Sequence, residues 1–119
     1  MEYDSNNIFA KILRHEIPCN KIYEDDFALS FHDINPQAPV HVLVIPKGPY
    51  VSMTDFTRDA SREEIDGLFR AIGAVVSKLN LEKDGYRILT NTGIHGGQEV
   101  PHLHFHIFAG KRLGRMLVS

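Results

Sequence analysis

The chain has 119 residues, 43% of them hydrophobic, and a formal charge of -2 from 13 Lys and Arg against 15 Asp and Glu. That size and apolar content fit one domain, residues 1–119, with its own core, and the near-neutral balance without a basic block argues against nucleic acid or an anionic membrane surface as partner. The lone Cys19 excludes an internal disulfide, and no apolar run reaches bilayer-spanning length. Met1-Glu2-Tyr3-Asp4-Ser5 lacks the basic and apolar regions of a secretory signal, so a reducing cytoplasm is the expected compartment.

In chain order, Ile8 with Ile12 and Phe9 with Leu13 share a helical stripe after the possible caps Asp4, Ser5 and Asn6, predicting a short amphipathic helix limited by Pro18. Lys21-Ile22-Tyr23-Glu24 and Phe27-Ala28-Leu29-Ser30-Phe31 predict two strands about the turn Asp25-Asp26, a hairpin. Pro36 and Pro39 break any helix, and the aliphatic run over 40–45, closed by Pro46, predicts a central strand. Ser61-Arg62-Glu63-Glu64 is a capping-box pattern, and Ile65, Leu68, Phe69, Ile72, Val75, Val76 and Leu79 continue it as a long amphipathic helix. Gly67, Ala71 and Ala74 add a small-residue stripe on that helix, open to two readings: a seat for a close neighbour such as a symmetry mate, or a plain solvent face. Lys83-Asp84-Gly85 turns the chain into a strand over 86–91, and a glycine-rich bend over 93–97 leads to a last strand. Hairpin-type strands without regular βαβ alternation, with one short and one long helix, predict an α+β fold on a mainly antiparallel sheet of about five strands.

That last strand carries His102, His104 and His106 alternating with Leu103, Phe105 and Ile107, so one side of the sheet receives three imidazoles and the other three apolar side chains. Neighbouring imidazoles are costly to desolvate and repel when charged, so the pattern predicts a reaction site rather than core. The segment Asn91-Thr92-Gly93-Ile94-His95-Gly96-Gly97-Gln98 puts backbone amides at its mouth, where two adjacent glycines allow a phosphate to approach. Asn91 is placed either to donate its amide to a ligand oxygen or to cap a strand.

Two chemistries fit such a cluster. A metal held by all three histidines is disfavoured, because His102 and His106 stand roughly 13 Å apart on an extended strand. A two-ligand version with His41 or His95 stays open, yet the chain has no Cys pair and no acidic residue in a familiar zinc spacing, so no metal and no cofactor is expected. The favoured chemistry is nucleophilic attack on phosphorus by a neutral imidazole, whose ordinary pKa is about 6.5. Mutual repulsion would then keep neutral and cationic rings side by side, a nucleophile with an acid partner.

These residues also carry a resemblance. His102-Leu103-His104-Phe105-His106-Ile107-Phe108, together with Ile8-Phe9, Glu16-Ile17-Pro18, Phe31-His32-Asp33-Ile34, Pro36-Gln37-Ala38-Pro39, His41, Ile45-Pro46-Lys47 and Gly96-Gly97-Gln98, resembles the histidine triad nucleotide-binding proteins, and among them the Hint branch of purine nucleoside phosphoramidases. The resemblance spans nearly the whole chain. It implies a homodimer whose sheets join into one, binding a purine nucleoside 5'-monophosphate unit in each protomer. His104 would be the nucleophile that takes the nucleotidyl group from a P–N bond and releases an amine, before water frees the nucleoside monophosphate. His106 would sit at the leaving group, with His102 and His41 completing the polar cluster. Asn91, Gly97, Gln98 and the backbone amides around Glu99 and Val100 would contact the phosphate, Asp33 the ribose hydroxyls, and Ile8, Phe9, Ile12, Phe31 and Ile34 the base. His15 and His32 are expected to have no catalytic part.

Two departures from the animal members stand out. Glu99 replaces a serine, and a carboxylate beside a phosphate repels it unless it turns away or pairs with a cation such as Lys47 or Arg112; Gly-Gly-Gln-Glu-Val is the form familiar in bacterial members. The tail over 111–119 lacks their tryptophan. Rival functions for the same cluster are hydrolysis of dinucleoside polyphosphates and non-catalytic nucleotide binding.

Overall fold

Five strands form one antiparallel sheet in the order β1-β2-β3-β5-β4 in the computed structural model, which describes residues 2–117. Of the tail considered above, Val118 and Ser119 lie outside the described residues. The elements in chain order are α1 (Ile8–Leu13), β1 (Lys21–Glu24), β2 (Ala28–His32), β3 (Val40–Pro46), α2 (Met53–Asp59), α3 (Arg62–Lys78), β4 (Arg87–Leu89), α4 (Gly93–Gly96) and β5 (Phe105–Ala109). The α+β architecture, the hairpin and the central position of the aliphatic strand are as expected. No described helix is long and apolar enough to cross a membrane.

Strand alternation gives the sheet two different faces. Ala28, Val42, Val44, Phe105, Ile107 and Ala109 meet Leu68, Ala71, Ile72, Val75 and Val76 of α3, with Leu103 joining the same core. Leu29, Phe31, Leu43 and Ile45 meet Phe9 and Ile12 of α1 on the opposite face. Each large apolar side chain removed from water in this way contributes about 1.5–3 kcal/mol, which is what fixes strand register. In that register His41 lies opposite Phe108 and Leu43 opposite His106, so these side chains share the α1 face.

The α1 cap is Asn7 rather than any of the three residues before it: its Oδ1 accepts from the Ala10 amide at 2.9 Å, while Asp4 turns to the Asn6 amide. Asp25 Oδ1 accepts from the amides of Phe27 and Ala28 and so closes the hairpin turn. The capping box of α3 is reciprocal, Glu64 amide to Ser61 Oγ and Ser61 amide to Glu64 Oε1.

Among the described residues four helices are present instead of two. The unforeseen α2 follows a second capping box, Ser52 with Asp55, and buries only Phe56. The glycine bend winds into the single turn α4, closed by Gly97 at φ 74°, a left-handed conformation that suits glycine. The fourth strand is shorter than expected, and β5 begins at Phe105, so His102 and His104 precede the paired strand. At Gly67 the small-residue stripe seats a close neighbour, one from the same chain, and at Ala71 it is core instead of solvent face. Ala71 is fully buried in the core, and a Cβ added to Gly67 would come within 2.4 Å of the Phe27 ring.

Candidate active site

His104 is buried against the edge of the Phe9 ring, with centroids 5.0 Å apart. Its Nδ1 stands 2.7 Å from the backbone oxygen of His102. A carbonyl can only accept, so Nδ1 carries the ring proton and Nε2 keeps a free lone pair. Thr90 Oγ1 donates to the carbonyl of His104 itself at 2.7 Å, which ties β4 to the start of β5. Burial lowers the pKa of His104 and keeps this tautomer uncharged at neutral pH.

His41 and His106 form a second, directional pair. The Gln37 amide donates to His41 Nδ1 at 3.1 Å, which leaves the His41 proton on Nε2. That proton is donated to His106 Nδ1 at 3.0 Å, so the His106 proton must sit on Nε2. A bare nitrogen on His104 therefore neighbours a protonated one on His106, their rings 5.0 Å apart between centroids. Burial, then His104 and His41, pushes the His106 pKa down to about 4. Burial also lowers that of His41, against the pull of Asp33. The expected mixture of neutral and cationic rings is thus replaced by an all-neutral resting cluster, because desolvation of the charged form outweighs the nearby carboxylates.

His102 differs from its expected place. It is fully buried, donates from Nε2 to the Pro46 carbonyl at 2.9 Å, and accepts at Nδ1 from the Tyr3 hydroxyl at 2.6 Å. Burial pushes its pKa down to about 4. Its ring does not line the cavity; what it presents to the site is the backbone carbonyl that orients His104.

The cavity holds about 270 Å³ and is lined by His41, His104 and His106 together with Phe9, Asp33, Asn35, Gln37, Leu43, Asn91, Gly97, Glu99 and Val100. An adjoining apolar recess of about 230 Å³ is walled by Ile8, Phe9, Ile12, Phe31 and Ile34, the expected base-side residues, and also by Pro18, Cys19, His32 and Leu43. Asp33 belongs to both halves. Its Oδ1 accepts from the Asn35 amide at 2.8 Å, and its Oδ2 lies 3.5 Å from His41 Nε2. A ligand with an apolar ring at one end and an anion at the other would pass this carboxylate at its middle.

At the loop the amides divide. Those of Gly97 and Gln98 are spent on the carbonyls of Ile94 and Gly93, at 3.1 and 3.0 Å. Among the described residues, the amides of Glu99 and Val100 and the side chain of Asn91 make no hydrogen bond. Gln98 braces the loop: Oε1 accepts from the Gly93 amide, Nε2 donates to the carbonyls of Val51 and Val100, and the residue does not line the cavity. Glu99 lines both halves, and of the two alternatives the ion pair is not formed among the described residues, since Lys47 pairs with Glu24 at 2.9 Å and Arg112 pairs with no carboxylate. His95 is exposed, and His15 borders a separate cavity beyond Ile12.

Tyr3, Asn35, the Gln37 amide and Leu43 were not foreseen. Leu43 was within reach, being two positions from His41 on one strand face. The others depend on loop closures that leave no periodic trace. Among the described residues, Asp33, His41 and His106 bring donor atoms within 4.8 Å of one another, a set that includes His41 and not His95 of the two alternatives. A cation there would have to replace the His41–His106 hydrogen bond.

An antiparallel sheet that delivers two of three alternating histidines into an open cavity, and buries the third, defines a histidine triad protein. The pattern of the HIT domain family matches residues 14–113, and the chain belongs to that family. It is 61% identical to an uncharacterized 13.2 kDa HIT-like protein of Azospirillum brasilense over 98% of this chain and 96% of that one. It is 42% identical to the purine nucleoside phosphoramidase of Escherichia coli K12, over 92% of each. Among solved structures, a histidine triad protein from Clostridium difficile superposes with a TM-score of 0.86 at 42% identity, covering 98% of this chain and 100% of that chain.

Proposed function

We propose that the chain is a hydrolase of purine nucleoside 5'-phosphoramidates, working through a nucleotide bound covalently to His104. The observation that carries this reading is the hydrogen bond from His104 Nδ1 to the His102 carbonyl, which leaves an uncharged nucleophile at Nε2 on the cavity wall. His104 Nε2 attacks the α-phosphorus and the P–N bond breaks. The departing nitrogen takes one proton that enters from solvent at His106, so His106 is neutral again when the amine leaves. Water then attacks the same phosphorus, gives its proton back to solvent, and frees nucleoside monophosphate and His104. The open amides of Glu99 and Val100 and the Asn91 side chain serve the phosphate oxygens, Asp33 the ribose, and the Phe9–Phe31 recess the base. Similarity to the E. coli phosphoramidase supports the substrate class.

The whole chain acts as one domain in the cytoplasm and as a homodimer. Support for the dimer comes from β4, an edge strand with open backbone groups, beside the partly exposed Phe69, Tyr86 and Ile88. Sedimentation should give twice the chain mass, and a monomer at micromolar concentration would refute the pairing.

Incubation with adenosine 5'-phosphoramidate and, separately, a diadenosine polyphosphate tests the reaction. The phosphoramidate should be the faster substrate, and His104→Ala should abolish its turnover while AMP still binds. Undiminished turnover in that variant, or preference for the polyphosphate, would reject the reading.

A further inference from the structure

Tyr3 lies 99 positions from His102 in sequence, yet its hydroxyl reaches His102 Nδ1 at 2.6 Å. The opposite ring nitrogen faces the Pro46 carbonyl, at the end of β3, at 2.9 Å. That carbonyl has nothing to donate, so His102 Nε2 holds the proton, Nδ1 is an acceptor, and the Tyr3 hydroxyl is its donor. The two rings also meet edge to face, with centroids 5.5 Å apart. His102 is fully buried, so no water can replace a missing donor without rearrangement. Its own carbonyl is the acceptor that orients His104. The contacts therefore run without a gap from the segment before α1, through a buried ring pinned at both nitrogens, to the nucleophile.

We propose that Tyr3 is a positioning residue of the reaction: by holding the His102 ring against the Pro46 carbonyl, it fixes the peptide on which His104 is oriented with Nε2 toward the cavity. Tyr3 itself touches neither the cavity nor a substrate. The proposal rests on His104 being the nucleophile.

Tyr3→Phe keeps the ring and its edge contact and removes only the donor, whereas Tyr3→Leu removes both. AMP affinity of Tyr3→Phe should stay within about twofold of wild type while its single-turnover cleavage of adenosine 5'-phosphoramidate slows by about tenfold, the scale expected when a nucleophile is slightly misplaced. A Tyr3→Phe variant as fast as wild type, with only Tyr3→Leu slow, would show that packing is the whole role and overturn the proposal. So would a loss of AMP affinity equal to the loss of rate. An arm that needs no substrate reads the imidazoles by long-range ¹H–¹⁵N correlation. Wild type should show His102 protonated at Nε2 and His104 at Nδ1, and in Tyr3→Phe the His104 Nδ1 proton should exchange faster with water. Wild-type His102 protonated at Nδ1, or an unaltered His104 signal in the variant, would contradict the proposal. Absence of phosphoramidate cleavage by the wild-type chain would instead reject the catalytic reading and leave this ring measurement standing.

Discussion

Asp33 stands where the apolar and polar halves of the cavity meet, with one carboxylate oxygen engaged by the Asn35 amide and the other facing the histidines. In the proposed reading that is the place of a sugar between a base and a phosphate. Asp33→Ala should weaken AMP binding by about 1.5–3 kcal/mol, the worth of hydrogen bonds to a charged group. Titration calorimetry with a 2',3'-dideoxy analogue should show little difference between variant and wild type; an equal loss for both ligands would remove the ribose contact. At this scale the directions of His41 and His106 were legible from alternation alone, because a strand has only two faces; His104 stands just ahead of the paired strand and is oriented by its Nδ1 bond to the His102 carbonyl. The burial of His102 was not: it precedes the paired strand, and what determines its surroundings is a tyrosine from the other end of the chain.

The elements that hold the site were legible in proportion to their length. Seventeen residues of α3 repeat their apolar spacing several times, and its capping box marks the start, whereas the seven residues of α2 bury a single side chain and leave no period to detect. The pattern could not show what lies over Gly67, where the Phe27 ring from the hairpin turn sits on the helix. Two effects compete at that position. Alanine would improve helix propensity by about 1 kcal/mol, but an extra carbon in a close contact costs about 1–3 kcal/mol. Overpacking should win, so Gly67→Ala should lower the melting temperature. In a Phe27→Gly background, which removes the Cβ at 2.7 Å together with the ring, the same change should be neutral or stabilising. A cycle in which Gly67→Ala behaves alike in both backgrounds would show that the ring contact does not restrain the helix.

For the molecule as a whole, neutral buried histidines link stability to pH. The pKa of His102 is about 4 when folded, against an ordinary value of about 6.5. Between those values the unfolded chain binds a proton that the folded chain refuses, so stability falls as pH drops below about 6.5 and goes on falling toward about 4. Above about 6.5 this group contributes no dependence. His102 alone is worth on the order of 3 kcal/mol over that window, and His41, His104 and His106 act in the same direction. Thermal melts should be level at neutral pH and drop on mild acidification. A melting temperature that holds or rises from pH about 7.5 to about 5 would mean that the cluster is not neutral when folded.

The uncharged Nε2 of His104 is the point on which the chemistry turns, and rapid acid-free quenching of a phosphoramidate reaction, followed by peptide mapping, tests it most directly. A nucleoside monophosphate adduct should be found on the peptide spanning the triad, localised to His104 and absent in His104→Ala. An adduct on His106 or any other residue, or turnover in which water attacks the substrate with no covalent intermediate, would contradict the account.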